Sequence, residues 1–268
     1  MAINRAQLAK ELEPGLNALF GLEYARYENE AAQIFEQESS DRAFEEEVML
    51  VGFGQANVKA EGAAVGFDTA SESFTARYTH DTIALAFALT EEAVEDNLYD
   101  TLSARYTKAL ARSMAYTKQV RGANVLNNAF SVTGGDGVTL ANTAHPTALG
   151  GTFSNRSATD ADLTDVSLEQ GMIDIAGFID ERGLKIVMKG QKLIIPVNTQ
   201  FVADRILEST LRVGTADNDI NALKNMGMLP GGYTVNHYLT DTDAWFVKTD
   251  CPNGFKHFVR AALATGME

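Results

Sequence analysis

Apolar side chains recur at helical spacing over residues 90–130 and predict one long helix. Thr90, followed by Glu91 and Glu92, is typical of a helix start, where an oxygen acceptor and negative charge stabilise the free N–H groups. No proline interrupts the segment, and at about 1.5 Å per residue it would be a rod of roughly 50–60 Å. The larger side chains that follow this period are Val94, Leu98, Leu102, Tyr106, Leu110, Met114, Val120 and Val125.

The pattern changes to period two before the rod, which predicts a long two-stranded hairpin over residues 48–82. Phe74, Ala76 and Tyr78 share one face, whereas residues 83–89 are apolar at the other parity, so we expect a bulge or bend near Asp81. Residues 56–67 form a tip of mostly small side chains, and we expect it to make few contacts within its own subunit. Such a hairpin has too little apolar surface to be stable alone, so it should lie on a neighbour.

Residues 1–47 differ from the rest of the chain in charge. They contain 11 acids and 4 bases, a net charge of −7, which is half the charge of the whole chain. Two helices are expected, at residues 5–20 and 22–35, with an apolar stripe too narrow to form a core of its own. We therefore predict that this segment is an arm that packs against another part of the protein or another molecule.

Short helices and strands alternate after the rod and indicate an α+β body. An exposed loop is expected at residues 134–156, and an amphipathic helix with a capping box from Ser167 to Gln170 and a C-terminal Gly183 follows. Further helices are predicted at residues 199–211 and 221–228. The predicted strands cover residues 184–188, 193–197, 233–239, 244–249 and 255–262.

Composition narrows the possible functions of the chain. It has 268 residues, a net charge of −14 and 45% hydrophobic residues. Such an acidic chain is poorly suited to binding nucleic acid or anionic membranes, because phosphate contacts need clustered Lys and Arg. The lone Cys251 cannot form an internal disulfide. The longest apolar run is far too short to cross a bilayer.

Candidate catalytic and metal-binding residues are few and scattered. None of the four histidines has a partner at metal-ligand spacing, and we expect His237 to be a half-buried structural residue on a strand. The Asp-rich segments 217–219 and 241–243 lack the Gly and Glu of a calcium loop, so turn formation explains them better. We therefore expect no catalytic residue, no metal and no cofactor.

Two charge clusters of opposite sign are candidate contacts between subunits. The end of the arm carries Glu45, Glu46 and Glu47, whereas residues 101–135 contain no acid. The bases of that segment either dock an acidic partner or complement the helix dipole. The suspected contact residues on the rod are Arg105, Lys108 and Arg112.

The order of elements, with several short motifs, resembles the major capsid proteins of tailed bacteriophages, which have the Hong Kong 97 fold. The motifs lie at residues 18–22, 75–80, 95–99 and 214–221. The resemblance implies an α+β fold with an N-terminal arm (1–47), an extended loop (48–82), a peripheral domain (83–183) with the spine helix (90–130), and an axial domain (184–252). Residues 253–268 would return toward a peripheral domain that is incomplete, because similar proteins continue with a further strand.

The same resemblance implies a structural protein and not an enzyme. It would self-assemble as hexamers and pentamers into an icosahedral shell that encloses double-stranded DNA without binding it specifically, with scaffold, portal and decoration proteins as further partners and no membrane. Such a protein belongs to the virion capsid and is assembled in the host cytoplasm. Some relatives join subunits through a Lys–Asn bond, and Lys59 is the one lysine near the hairpin tip.

Two other functions remain open at this point. One is the shell of an encapsulin-like nanocompartment, which would enclose another cargo. The other is an acidic hydrolase whose site would lie between Asp217, Asp241 and His237. Particle size separates a shell from a hydrolase, and nucleic acid content separates a virus from a nanocompartment.

Overall fold

The computed structural model describes residues 9–88, 99–212 and 219–266 of the chain. Six α-helices occur in these ranges: α1 (Ala9–Arg26), α2 (Ala31–Ile34), α3 (Tyr99–Asn127), α4 (Asp165–Ala176), α5 (Gln200–Glu208) and α6 (Ala222–Asn225). The strands of the same ranges are β1 (Glu36–Ser39), β2 (Phe44–Val51), β3 (Ser71–Thr79), β4 (His145–Pro146), β5 (Thr152–Phe153), β6 (Gly190–Pro196), β7 (Tyr233–Asn236), β8 (Phe246–Thr249) and β9 (Lys256–Val259).

The predicted long helix is confirmed as α3, although its expected start at residues 90–98 lies outside the described residues. The face that α3 buries is made mainly of small side chains, whereas Tyr106 and Val125 remain 49% and 40% exposed. The helical period therefore predicted the element correctly but did not reveal which face is covered. The buried positions fall mostly four residues apart on one face: Ser103, Thr107, Ala111, Ala115, Gln119, Ala123 and Leu126.

Small side chains are needed on this face because the arm packs closely against it. α1 packs along α3, and a Cβ placed on Gly122 would lie 2.9 Å from the Cβ of Ala31. The Gln119 side chain accepts a hydrogen bond from the Ala31 backbone N–H at 3.0 Å and donates one to the Glu28 carbonyl at 3.2 Å. The arm therefore packs on the rod of its own subunit.

The predicted division of the arm into helices at residues 5–20 and 22–35 is wrong. α1 continues through Gly21 to Arg26, and only the short α2 follows it. Phe20 and Glu23 on either side of this glycine are both buried. A helical glycine costs about 1 kcal/mol, and burial of a large apolar side chain outweighs that cost.

Strand β6 is the centre of the body because both of its faces are buried. It pairs in parallel with β7 and antiparallel with β8. Leu193 and Ile195 lie in the main core with residues of α4, α5 and α6, whereas Ile194 contacts the core formed with Ile34 and Leu126. The alternation along one strand thus joins the arm and the rod on one side to the helices of the body on the other.

The end of the arm is a strand rather than a solvated tail. β1 pairs in parallel with β9, with Glu36 opposite Lys256 and Ser39 opposite Val259. The arm is therefore connected by backbone hydrogen bonds to the last described strand of the chain.

The predicted hairpin is confirmed, with different strand ends. β2 begins at Phe44, before the predicted position 48, and pairs antiparallel with β3 from Ser71 to Thr79. The register shift lies between Val48 and Leu50 and not near Asp81. Residues 80–88 form no strand. The strand pattern expected to continue after the bend, over residues 83–89, is therefore wrong for the described residues 83–88.

The amphipathic helix is confirmed as α4, with different ends. Thr164 is the N-cap and Ser167 is the third helical residue of the capping box, because the two side chains exchange hydrogen bonds with each other's backbone N–H groups. The helix ends at Ala176, and Gly183, with φ of 81°, lies in a later turn.

The remaining predictions differ from the structure mainly in length. The strand expected at residues 184–188 is reduced to a single bridge between Ile179 and Lys185. Helix α5 ends at Glu208 and not at residue 211, and α6 covers only Ala222–Asn225, capped by the Asn221 side chain.

Candidate functional site

The hairpin projects an apolar tip that has almost no packing of its own. Every residue of the tip, 56–67, is exposed. Val58 and Phe67 are 101% and 99% exposed, and Val65 is 66% exposed. The expectation that residues 56–67 make few contacts within their subunit is confirmed. Large apolar side chains grouped in this way are typical of a surface that another molecule covers.

The stem of the hairpin, in contrast, is held against the body. Lys256 of β9 donates a hydrogen bond to Glu47 of β2 at 2.5 Å and lies 3.7 Å from Glu38 of β1. The bond to Glu47 raises the pKa of Lys256. The Tyr78 ring lies 6.1 Å from the ring of Phe258, and burial raises the pKa of Tyr78. One lysine thus joins three strands at the base of the hairpin.

The three predicted contact glutamates all have partners within the chain. Glu46 pairs with Arg77 on the opposite strand at 2.5 Å, and Glu47 pairs with Lys256. Glu45 accepts a hydrogen bond from the Ser40 hydroxyl at 2.6 Å and lies 3.8 Å from Arg42. The arm's acids could also have lain along the bases of the rod of the same subunit, but the structure does not show that arrangement.

The predicted basic residues lie on the exposed surface of α3. Arg105, Lys108 and Arg112 are exposed, and none of them forms an ion pair with another described residue. Lys108 and Arg112 line a shallow cavity of about 440 Å³ between α1 and α3, together with Glu23 and the tyrosines Tyr27 and Tyr116. This groove is open, basic and partly aromatic.

Among the residues that the structure describes, those of the hydrolase hypothesis do not form a catalytic arrangement. His237 is an exposed side chain, not the half-buried one expected, and its Nδ1 lies 2.7 Å from Glu30. The Asp241 carboxylate accepts a hydrogen bond from the Asp243 backbone N–H at 3.3 Å, as in a turn. Asp217 lies outside the described residues.

In residues 9–88, 99–212 and 219–266, no group of three or more His, Cys, Asp or Glu side chains is placed to hold a metal ion. No described helix is long and apolar enough to cross a membrane.

The comparison that decides the family concerns the chain from the second hairpin strand onward. The family model described as phage capsid protein matches residues 73–264, well over half of the chain. The chain belongs to the phage capsid protein family. The resemblance found in the sequence is therefore confirmed, and the protein is a major capsid protein, a structural subunit of the virion capsid.

Solved capsid structures have the same fold as this capsid protein. The structure titled bacteriophage JBD30 capsid is similar with a TM-score of 0.59 and 10% identity, over 80% of this chain and 92% of that chain. The JBD30 procapsid gives 0.59 and 13%, over 88% and 100%. The JBD30 capsid decorated with minor capsid protein trimers gives 0.58 and 11%, over 78% and 90%. A comparison with curated proteins found no match.

Sequence reasoning missed two residues that shape the exposed surface of this capsid protein. Arg182, in the turn after α4, contacts the hairpin where its strands end, and Asp68 lies on the hairpin beside it. Their partners are backbone groups, so no motif marks them in the sequence. The only local signal is Gly183, which indicates a turn directly after the arginine.

Proposed function

We propose that this capsid protein assembles with copies of itself, as hexamers and pentamers, into an icosahedral shell of the Hong Kong 97 type. In this proposal residues 1–47 are the arm, 48–82 the extended loop, 83–183 the peripheral domain with the spine helix, and 184–252 the axial domain. Residues 253–268 return toward the peripheral domain. The family match and the α+β capsid fold support the proposal.

The observation that carries this proposal is the exposed tip of the hairpin. Val58 and Phe67 are fully exposed although the stem is well held. Covering a large apolar side chain contributes about 1.5–3 kcal/mol, and that free energy is available only when another molecule supplies the cover. A second copy of the chain is the occupant that a shell subunit meets on every side.

The two charge clusters form the second part of the proposal. Glu45, Glu46 and Glu47 of one subunit would lie near Arg105, Lys108 and Arg112 of another. The absence of described ion pairs for these three bases supports this contact, whereas the in-chain partners of the glutamates weaken it. Lys59, exposed in the tip, is the residue that a covalent link to a neighbour would use.

We further propose that the shell encloses double-stranded DNA without binding it specifically. A subunit with a net charge of −14 gains little from phosphate contacts. Assembly would occur in the host cytoplasm, with scaffold and portal proteins as partners. Minor capsid protein trimers decorate the JBD30 capsid, and a comparable decoration is proposed here.

The test is to purify the expressed chain and examine it by gel filtration and electron microscopy. We expect closed particles in the megadalton range, and a small fixed oligomer would contradict the proposal. Val58→Ser with Phe67→Ser should reduce the particle yield, whereas Ala63→Ser with Ala64→Ser, a matched change in the same tip, should not. Nucleic acid in particles from infected cells would distinguish the virus shell from a nanocompartment, and free subunits should not retard DNA at physiological salt.

A further inference from the structure

The hairpin changes character at the point where its strands stop pairing. Val51 opposite Ser71 is the last pair of the ladder. Just beyond it, Arg182 donates hydrogen bonds from Nε to the Gly52 carbonyl at 3.1 Å and from Nη2 to the Thr69 carbonyl at 2.5 Å. One guanidinium therefore bonds both strands at the position where the ladder ends. We call Gly52, Asp68 and Thr69 the neck of the hairpin.

Asp68 also bonds the backbone at the neck. Its carboxylate accepts the backbone N–H groups of Gly54 and Thr69, both at 2.8 Å, and its Oδ1 lies 3.6 Å from Nη2 of Arg182. The bonds from these two amides lower the pKa of Asp68, so the group is ionised at neutral pH. Arg182 donates to carbonyl groups and Asp68 accepts from amides, so each charged side chain forms charge-assisted hydrogen bonds with the backbone of the hairpin.

Arg182 belongs to a rigid part of the body. The Asp180 carboxylate accepts the backbone N–H groups of Arg182 at 2.9 Å and Leu184 at 2.7 Å, and Gly183 has the positive φ that closes this turn. The turn follows α4, which contributes to the main core. Only 17% of the Arg182 side chain is exposed. The backbone that carries the arginine is therefore fixed by hydrogen bonds of its own turn.

The stem is held at a second, separate place. Lys256 bonds Glu47 nearer the base of the hairpin, and a Cβ on Gly135 would lie 3.2 Å from the Cβ of Ala76. A hairpin that is attached at one point can pivot, whereas a hairpin attached at two separated points has a fixed direction. The neck supplies the second point, and the tip begins just beyond it.

We propose that Arg182, together with Asp68, is a positioning residue that sets the direction in which the hairpin tip leaves the subunit. This inference rests on the proposed shell function, since the tip of a correctly directed hairpin would reach a neighbouring copy without being ordered first. Preorganisation of this kind lowers the entropic cost of association. Arginine suits the role because its planar fork bonds two acceptors at once, which the single ammonium of lysine does not reproduce.

The direction of the hairpin can be measured on the unassembled full chain with two spin labels. Cys251 is a free, exposed thiol on the body, and Val58→Cys places the second label on the fully exposed tip. We expect a distance distribution with a dominant peak in the Val58→Cys parent. That peak should be lost in Arg182→Gln and weakened in Arg182→Lys. The matched control is Lys185→Gln, which removes the same charge from an exposed side chain three residues away and should keep the peak.

Amide exchange gives a second readout that does not depend on the labels. In Arg182→Gln the amides of Gly54 and Thr69, which donate to Asp68, should exchange at least about tenfold faster, because the segment that carries this carboxylate loses two hydrogen bonds from a charged donor. Asp68→Asn keeps the arginine but weakens the acceptor of these amides, and should act in the same direction. A peak and exchange rates in Arg182→Gln equal to those of the parent would overturn the inference.

Assembly separates this inference from the function on which it rests. If the parent forms particles and Arg182→Gln forms fewer, with a broadened distance distribution, both are upheld. If the parent forms no particles but the distances change as expected, the positioning role stands and the shell proposal fails. If Arg182→Gln loses particles while its distance distribution stays like that of the parent, the arginine acts elsewhere and the positioning role is wrong.

Discussion

Strand β6 and the hairpin tip both carry large apolar side chains but place them in opposite environments. Leu193, Ile194 and Ile195 are consecutive and fully buried, because one face of β6 meets the helices of the body and the other meets the arm and the rod. Val58 and Phe67, in the tip, are fully exposed. Both regions are apolar, but only β6 is covered by its own chain.

The difference shows where each region obtains its stability. Burial in β6 contributes to the folding of one subunit, whereas the apolar surface of the tip contributes only after another molecule covers it. Folding should therefore depend on β6 and assembly on the tip.

The largest effect should come from truncating β6. We expect Ile194→Ala to lower the free energy of unfolding of the unassembled subunit by about 2–5 kcal/mol, because it leaves a cavity between the arm, the rod and the sheet. Urea unfolding measures this change. Val58→Ala is the control and should change it by less than about 0.5 kcal/mol. Equal costs at the two positions would remove the distinction between core and tip.

A second test compares two helical glycines. The Cβ of Gly122→Ala would meet the Cβ of Ala31 at 2.9 Å, and neither atom can move without shifting a helix. The Cβ of Gly21→Ala in α1 would have no heavy atom within 4 Å. We expect Gly21→Ala to stabilise by about 0.5–1 kcal/mol and Gly122→Ala to be at least about 1 kcal/mol less stable than it. Similar thermal unfolding of the two variants would show that the arm does not pack closely on the rod.

A third test asks whether charge adds to the apolar contact of the tip during assembly. Lys108→Glu with Arg112→Glu reverses two exposed bases of the groove and leaves the described ion pairs of the glutamates intact. We expect a lower particle yield and a weaker dependence of that yield on salt, since each exposed pair is worth about 0–1 kcal/mol and is screened by ions.

The control for charge alone is Lys185→Glu with Lys189→Glu on the body. Reversing Glu46 and Glu47 instead would be ambiguous, because they pair with Arg77 and Lys256 at the base of the hairpin. If the groove variant assembles with the yield of the parent at every ionic strength, the bases of α3 are only a solvated surface and do not contribute to assembly.

The smallest effect concerns the pH dependence of the body, in which His257 of β9 is half-buried. Burial, with the nearby Lys118 charge, lowers the pKa of His257. The unfolded chain then binds more protons than the folded one as the pH falls below about 6.5, so this part of the stability is lost toward acid pH. His257→Gln should flatten the acid side of the stability profile, and Lys118→Gln should do so in part. An unchanged profile in His257→Gln would contradict this assignment.

Much of the fold was predictable because it depends on local patterns. The helical period predicted α3, and the period of two with a tip of small side chains predicted the hairpin and its exposed end. The buried face of α3 was not predictable in this way. Large side chains usually indicate the covered face, but here Ala111 and Ala115 are buried and Tyr106 is not, because closely packed helices need small side chains between them.

The candidate site divides in the same way. The sequence by itself determined that a tip of mostly small side chains with few contacts of its own exists, and where the charge clusters lie, since composition and period are properties of neighbouring residues. Only the tertiary structure decided that Glu46 and Glu47 are paired within the chain and that Arg182 holds the neck. The acceptors of Arg182 are backbone carbonyls 130 and 113 residues away, and a carbonyl group looks the same at every position in a sequence.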